Sequence, residues 1–110
     1  QHAFDTLISN SLLHHLADPQ VLWRAAVDCA EPGAAVFIMD LRRPDAREQA
    51  GRLVQEYSGN EPEVLRRDFF NSLLAAYRPE EIAAQLARVN LSCLQAEAVG
   101  DRHVVVYGLL

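Results

Sequence analysis

Polar residues able to do chemistry cluster in one short stretch, residues 4–16, which reads FDTLISNSLLHHL. The stretch begins with apolar residues typical of a buried strand, and Ser9, Asn10 and Ser11 lie where that strand should end. Ligands of open α/β sheets bind outside the carboxyl ends of the strands. The three side chains are therefore candidate ligand contacts, although short polar residues at a strand end also serve simply to satisfy backbone groups.

Two adjacent histidines, His14 and His15, follow this strand end. An imidazole titrates near neutral pH and can act as a general base, and we take His14 as the candidate for that role. The alternative is a structural histidine that starts a helix or packs in the core and hydrogen-bonds to the backbone. Adjacent residues of a regular segment point in different directions, so we do not expect both rings in one place.

A second set of polar residues follows the next apolar run, residues 34–41. Asp40 lies at the carboxyl end of this run, where it can orient a substrate amine or a base, or simply cap the strand. We include it as the second candidate catalytic residue. Arg42 and Arg43 come next, and they either meet an anionic substrate or form a solvated loop pair.

The composition limits the classes of function. The chain has 110 residues, half of them apolar, which suffices for one domain. Its formal net charge of −5 argues against a broad surface for nucleic acid or anionic membrane. Cys29 and Cys93 do not make a disulfide framework, and no run reaches the roughly 18 apolar residues of a membrane span. We therefore expect a cytoplasmic protein.

The first half of the chain predicts a βαβ unit. Residues 4–9 and 34–41 form strands, and between them the dipeptide Asp18-Pro19 starts a helix that the Glu-Pro-Gly at 31–33 ends. An apolar strand without alternation is typical of a parallel sheet, and its crossover should be right-handed. The apolar face predicted for the helix consists of Val21, Leu22, Ala25, Ala26 and Cys29.

The second half predicts a helical insertion and a hairpin. Residues 42–77 form an irregular helical insertion or lid, and a further helix starts at Pro79. The last two strands, residues 91–99 and 103–110, are joined by a short turn and form an antiparallel hairpin. Three aromatic side chains of the insertion either line a substrate pocket or belong to the core by their helical spacing: Phe69, Phe70 and Tyr77.

This order of elements, with its closing hairpin, resembles the second half of a class I S-adenosylmethionine-dependent methyltransferase. Five landmarks carry the resemblance in the family's order, namely the Leu-His-His-Leu core at 13–16, Asp18-Pro19, the Pro32-Gly33 turn, Asp40 and the helix start Pro79-Glu80-Glu81. The implied fold is α/β, a partial Rossmann-like methyltransferase sheet over residues 1–110 ordered β-α-β-(helical insertion)-α-β-β.

The resemblance implies transfer of a methyl group from S-adenosylmethionine to a small-molecule acceptor. It places the loop after the first strand beside the methionine part of the cofactor, so that Ser9, Asn10, Ser11 and His15 become candidate cofactor contacts. Some branches of the superfamily bind metal through two Glu of this loop. The matching residues here are Ser11 and His14, and because Ser11 brings no carboxylate we expect no metal site.

The chain departs from the family pattern at its beginning. It has no G-x-G spacing, the feature that lets the backbone approach such a cofactor, and the family's first three strands are missing. We therefore expect a fragment of a longer protein or a truncated gene product that does not bind the cofactor fully by itself. The alternative is a non-catalytic α/β module. Its strand at residues 4–9 leaves one sheet edge open, which predicts a homo-oligomer through that edge or a protein partner.

Overall fold

The computed structural model describes residues 4–110, and these form an α/β structure. A 3₁₀ turn at Leu13–His15 follows the first strand. The strands are β1 (Phe4–Asn10), β2 (Ala30–Leu41), β3 (Gln95–Val99) and β4 (His103–Leu109). The helices are α1 (Gln20–Cys29), α2 (Arg47–Ser58), α3 (Glu63–Ala75) and α4 (Pro79–Arg88). The predicted α/β fold and its order of elements are confirmed, and the helical insertion consists of α2 and α3.

The four strands form one mixed sheet in the order β1-β2-β4-β3. β1 runs parallel to β2, and its Leu7 lies opposite Val36. β4 runs antiparallel to both β2 and β3, so the closing hairpin is present as predicted. Gly100 begins the hairpin turn with a φ of +63°, a conformation in which glycine avoids the steric cost that a Cβ atom brings. Helix α1 connects the two parallel strands β1 and β2, so the predicted βαβ unit is present.

β2 begins four residues earlier than the apolar run indicates. The expected helix stop at 31–33 lies within the strand, because Ala30 already pairs with Phe4 and the amide of Gly33 donates to the carbonyl of Leu110 at 2.8 Å. α1 therefore passes into β2 without an intervening loop. Gly33 has a φ of +79°, which bends the chain at this point.

The main core lies between one face of the sheet and helices α1 and α4. The sheet contributes alternate residues of β2 and β4, as the period of two requires. The members of this cluster that come from the strands and the two helices are Trp23, Val36, Ile38, Ile82, Leu86, Val104 and Val106. Leu13 of the 3₁₀ turn is 1% exposed and belongs to the same cluster, so this core also anchors the loop after β1.

The buried face of α1 agrees with the predicted one in part. Ala26 is buried and Leu22 packs against the main core as predicted, whereas Val21 and Ala25 are exposed and Trp23 is buried instead. The reason is the indole of Trp23, which fills the core and donates its Nε1–H to Oε1 of the buried Gln85 at 2.9 Å. A large side chain with a paired polar group fixes the helix rotation more strongly than two smaller residues do.

The α2–α3 hairpin has a small hydrophobic cluster of its own. Ala50, Val54 and Leu73 are its buried members, and Leu41 at the end of β2 packs against them. The hairpin thus rests on the carboxyl end of β2. Because its cluster is separate from the main core, its position on the sheet depends on a few specific contacts.

The second face of the sheet carries exposed apolar side chains. Ile8 is 73% exposed, Phe37 45% and Leu109 64%. Ile8 lies opposite Phe37, which in turn lies opposite Tyr107, so these residues share one face across three strands. β1 pairs only with β2 in the described part of the chain, which leaves its other edge open as well.

Candidate active site

His14 and Asp40, the two candidate catalytic residues, lie in contact at the carboxyl ends of the parallel strands. The register that sets Asn10 opposite Met39 places the ends of β1 and β2 level with each other. The 3₁₀ turn then carries His14 across the end of β2. The side chain of His14 is 5% exposed and that of Asp40 2%, and Nδ1 of the imidazole contacts Oδ1 of the carboxylate.

Backbone amides also hold the Asp40 carboxylate. The amide of His14 donates to Oδ2 at 3.1 Å, and the amide of Leu41 donates to Oδ1 at 2.7 Å. Both oxygens of a buried carboxylate are therefore hydrogen-bonded, as burial of such a group requires. The two interpretations of Asp40 are compatible, since the same carboxylate caps the backbone and orients the histidine.

This arrangement determines which nitrogen of His14 can act. A carboxylate that accepts from Nδ1–H fixes the tautomer in which Nε2 carries the lone pair. An imidazole oriented in this way can accept a proton at Nε2 and be stabilised by the carboxylate as the charge develops. The pair has the geometry of a general base with its orienting group.

The loop after β1 presents polar groups to solvent. Asn10 and Ser11 are exposed, and Ser9 is partly buried. The amide of Ser11 donates to the carbonyl of Met39 at 2.9 Å, and its hydroxyl donates to Oδ1 of Asn10 at 3.1 Å. Ser11 has a φ of +64°, a left-handed conformation that is costly for serine and recurs at functional sites.

His15 lies beside His14 but in a different environment. The two ring centroids are 4.0 Å apart with the planes tilted by 40°, so the adjacent rings share one place in contrast to the expectation for a regular segment. His15 is exposed, whereas the side chain of His14 is buried. Both histidines belong to the 3₁₀ turn, whose Leu13 is anchored in the core. That His15 contacts a cofactor stays a prediction.

Arg42 and Arg43 bind protein groups. Arg42 donates through Nη1 to the carbonyl of His103 at 2.6 Å and through Nη2 to that of Gly100 at 3.1 Å. Arg43 donates to the carbonyl of Ala76 at 3.1 Å and forms an ion pair with Glu81 at 2.9 Å. This pairing lowers the pKa of Glu81 from its ordinary value, chiefly through the hydrogen bond from Arg43. Both arginines thus tie the end of β2 to its neighbours.

A cavity of about 450 Å³ opens directly after β2, between the start of the insertion and the β3–β4 turn. Arg42 and Arg43 line it from the strand end, and Asp101 lines it from the turn. The remaining lining residues come from the loop before α2 and from α2 itself: Pro44, Asp45, Gln49, Arg52, Leu53 and Glu56. Sequence reasoning missed this second group, because only the fold brings an exposed face of α2 against the end of the sheet.

A polar contact beside this cavity fastens α2 to the hairpin turn. The hydroxyl of Tyr57 donates to Oδ2 of Asp101 at 2.6 Å, and the guanidinium of Arg102 lies 3.7 Å from the centroid of the Tyr57 ring. The hydrogen bond to Asp101, followed by that to Glu56, raises the pKa of the Tyr57 phenol to about 12. The same bond lowers the pKa of the Asp101 carboxyl.

The aromatic residues of the insertion serve packing. Phe69 and Phe70 pack against the α2–α3 cluster, and Tyr77 packs against the main core. None of the three lines the cavity beside β2. Of the two interpretations of these residues, the core interpretation agrees with this arrangement.

Residues 4–110 contain no group of three or more His, Cys, Asp or Glu side chains that could hold a metal ion. No helix in the same range is long and apolar enough to cross a membrane.

Comparison with known proteins adds a fold neighbour. No protein-family model matches the sequence, and no curated protein matches it. Among solved structures, the chain is similar to a candidate O-methyltransferase of Nostoc punctiforme PCC 73102, with a TM-score of 0.59 and 16% sequence identity. The similarity covers 96% of this chain and 32% of that protein, so the chain spans about a third of its neighbour's length. The chain therefore has a fold consistent with part of a Rossmann-like methyltransferase.

Proposed function

We propose that this chain is the C-terminal, acceptor-side portion of an S-adenosylmethionine-dependent methyltransferase that acts on a small molecule in the cytoplasm. The observation that carries the proposal is the contact between His14 and Asp40 at the carboxyl ends of β1 and β2. A fold shared with a candidate O-methyltransferase supports it. The net charge of −5 makes nucleic acid an unfavourable acceptor.

The residues present fit one side of the cofactor. Asn10 and Ser11 offer an exposed amide and hydroxyl at the strand end, and His15 adds an exposed imidazole beside them. The amide of Ser11 is bonded to the carbonyl of Met39 on β2, while the side chains of Asn10 and Ser11 remain exposed to solvent. The sequence contains no G-x-G spacing, so the remaining cofactor contacts belong to another part of the protein, and this chain alone binds weakly.

The chemistry assigned to this chain is removal of a proton. When bound, S-adenosylmethionine supplies an electrophilic methyl group. The hydroxyl or amine hydrogen of the acceptor would pass to Nε2 of His14, which would hold it as the imidazolium proton while the acceptor atom takes up the methyl group. Asp40 holds the imidazole in place throughout and stabilises its positive charge, and positioning supplies the rest of the rate enhancement.

Titration of the ¹⁵N-labelled chain with S-adenosylhomocysteine tests the proposal. We expect weak binding, with a dissociation constant on the order of a millimolar. The amide shifts should centre on Asn10, Ser11 and His15. Ser11→Ala removes one of these contacts and should weaken the binding. Ser58→Ala, at the far end of α2, is its matched control and should leave the titration unchanged. Shifts that centre elsewhere, or no shifts at all in the loop after β1, would contradict the proposal.

A second candidate function is a module that pairs with a second copy of itself. The exposed Ile8 and the open edge of β1 favour it. An antiparallel pairing of two β1 strands centred on Leu7 sets Asp5 opposite Ser9 of the second copy, so no like charges meet. β1 also contains no Pro or Lys that would block such pairing.

Light scattering at tens of micromolar tests this candidate. We expect a dimer for the unmodified chain and a monomer for Ile8→Lys, because a charge on an edge strand disfavours strand pairing. Val64→Lys, at another exposed apolar position, is the control and should remain dimeric. A monomeric unmodified chain would exclude pairing through this edge.

A further inference from the structure

The cavity beyond β2 lies at the same end of the sheet as the His14–Asp40 pair, and neither residue of the pair lines it. Its first lining residue, Arg42, follows Asp40 by two positions, and the cavity opens at the same end of the sheet as the candidate base. A volume of about 450 Å³ is within the range of small-molecule sites. The charged groups that line the cavity therefore indicate which class of small molecule can bind in it.

Two positive charges in this lining have no carboxylate partner in residues 4–110. The donors of Arg42 go to carbonyl oxygens, which satisfy its hydrogen bonds but do not neutralise its charge. Arg52 is exposed on α2 and forms no ion pair there. Arg43 differs, since Glu81 neutralises it.

Two negative charges in the same lining also lack a cationic partner within the described range. Asp45 and Glu56 are exposed and form no ion pair, although Glu56 shares the Tyr57 hydroxyl as a hydrogen-bond partner, whereas Asp101 is paired with Arg102. The backbone of Asp45 is held in place, because its amide donates to Oε1 of Gln49 at 2.9 Å.

The cavity thus presents charges of both signs around an apolar surface, and within residues 4–110 only those of Arg43 and Asp101 are held in ion pairs. Leu53 and Pro44 supply that surface. A ligand with a single charge would satisfy one sign and leave the other unpaired. A ligand with a carboxylate and an ammonium group satisfies both, and its hydrocarbon part can pack on Leu53.

We propose that this cavity binds a small zwitterion that carries a carboxylate and an ammonium group. The carboxylate lies toward Arg42 and Arg52, and the ammonium lies toward Asp45 and Glu56. That such a molecule is the methyl acceptor rests on the proposed function. The binding itself does not, because its residues are distinct from those of the loop after β1.

Three probes of nearly equal shape test the binding: L-phenylalanine, 3-phenylpropanoate and 2-phenylethylamine. Each of the latter two lacks one charged group of the first. We expect phenylalanine to shift the amides that line the cavity and to bind about tenfold more tightly than either analogue, since a charged hydrogen bond contributes roughly that factor.

Variants assign each charge. Arg52→Gln should weaken the binding of phenylalanine and phenylpropanoate about tenfold and leave that of phenylethylamine unchanged. Asp45→Asn should weaken the binding of phenylalanine and phenylethylamine about tenfold and leave that of phenylpropanoate unchanged. Arg67→Gln, an exposed arginine on α3, is the control and should change nothing. Both test positions are exposed, so folding is not at risk, and amide spectra outside the cavity verify this.

Equal affinity for the three probes, or unchanged affinities in Arg52→Gln, would overturn the proposal. The outcome is separable from that of the cofactor titration. S-adenosylhomocysteine itself carries a carboxylate and an ammonium group, so its titration is repeated with the cavity saturated by phenylalanine, and shifts that persist in the loop after β1 then belong to the cofactor site. A chain that binds phenylalanine but shows no response to S-adenosylhomocysteine would keep the zwitterion site and remove the methyltransferase assignment.

Discussion

Replacement of Asp40 by Asn leaves a buried group of N–H donors with one acceptor oxygen in place of two. The carboxylate, 2% exposed, accepts from the amides of His14 and Leu41 and contacts the His14 imidazole. Asparagine has nearly the same shape but a single acceptor oxygen. With that oxygen at the Oδ1 position, its NH₂ group faces the His14 amide, so two donors meet and neither is paired.

The expected loss of stability follows from these contacts. An unsatisfied buried donor costs about 1–3 kcal/mol, and hydrogen bonds to a charged acceptor exceed neutral ones by about 1 kcal/mol. Relief from burying a charge acts in the opposite direction, but it is large only where the charge has poor partners. The donor mismatch dominates here, and we expect Asp40→Asn to lower the free energy of unfolding by about 2–4 kcal/mol.

Urea unfolding monitored by the fluorescence of Trp23, the only tryptophan, measures this loss. Asp5→Asn is the matched control, because Asp5 is exposed on β1 and should change stability by less than about 0.5 kcal/mol. An Asp40→Asn variant within about 0.5 kcal/mol of the unmodified chain would refute the reasoning, since the carboxylate would then not hold its three donors.

Three further predictions concern other parts of the site and the core. Ser11→Gly should raise the free energy of unfolding by about 1 kcal/mol in urea titrations, because Ser11 has a φ of +64° and glycine adopts that conformation without steric cost. Trp23→Phe should lower it by about 2–4 kcal/mol, measured by circular dichroism, because it opens a cavity and leaves Oε1 of buried Gln85 without its 2.9 Å hydrogen bond. The third concerns Tyr57, whose phenol should ionise near pH 12 in an ultraviolet titration and nearer its ordinary 10.0 in Asp101→Asn. Because its pKa is raised in the folded state, its contribution to stability is fully present below pH 10 and is lost as the pH rises toward 12.

Each of these predictions has a contrary outcome. Ser92 does not have a positive φ, so Ser92→Gly should not stabilise the chain. An equal rise in the free energy of unfolding for Ser11→Gly and Ser92→Gly would contradict the explanation by backbone strain. A Trp23→Phe variant as stable as the unmodified chain would show that the indole hydrogen bond contributes nothing. A Tyr57 titration unaffected by Asp101→Asn would mean that the two side chains are not bonded in solution.

Local patterns in the sequence predict much of the fold because apolar periodicity and turn residues reflect the local backbone conformation that is favoured. The unalternating run before Asp40 predicts a strand parallel to β1, and the polar residues after it mark its carboxyl end. The pattern does not show that only one face of β2 is buried, with Phe37 45% exposed on the other. The start of β2 at Ala30 could not be predicted in this way. It depends on pairing with Phe4 and Leu110, which are far away in the sequence.

The candidate site likewise has features that the local sequence predicts and features that depend on distant contacts. The rule that strand ends meet at one edge of a sheet is enough to nominate His14 and Asp40 together. It does not reveal that Asp40 binds Nδ1, since that depends on the 3₁₀ turn. The cavity residues of α2 gave no local signal, because Arg52 and Glu56 are indistinguishable in sequence from any solvated helix face.

The tautomer of His14 tests the central claim most directly. A long-range ¹H–¹⁵N spectrum of the imidazole at about pH 8.5, above the ordinary histidine range, distinguishes the protonated nitrogen from the one with the lone pair. We expect Nδ1 of His14 to carry the proton and Nε2 the lone pair, and we expect Asp40→Ala, which leaves no acceptor for Nδ1–H, to abolish this preference, with exposed His15 as the internal reference. A proton on Nε2, or a spectrum of His14 that Asp40→Ala leaves unchanged, would contradict the assignment of His14 as a base oriented by Asp40.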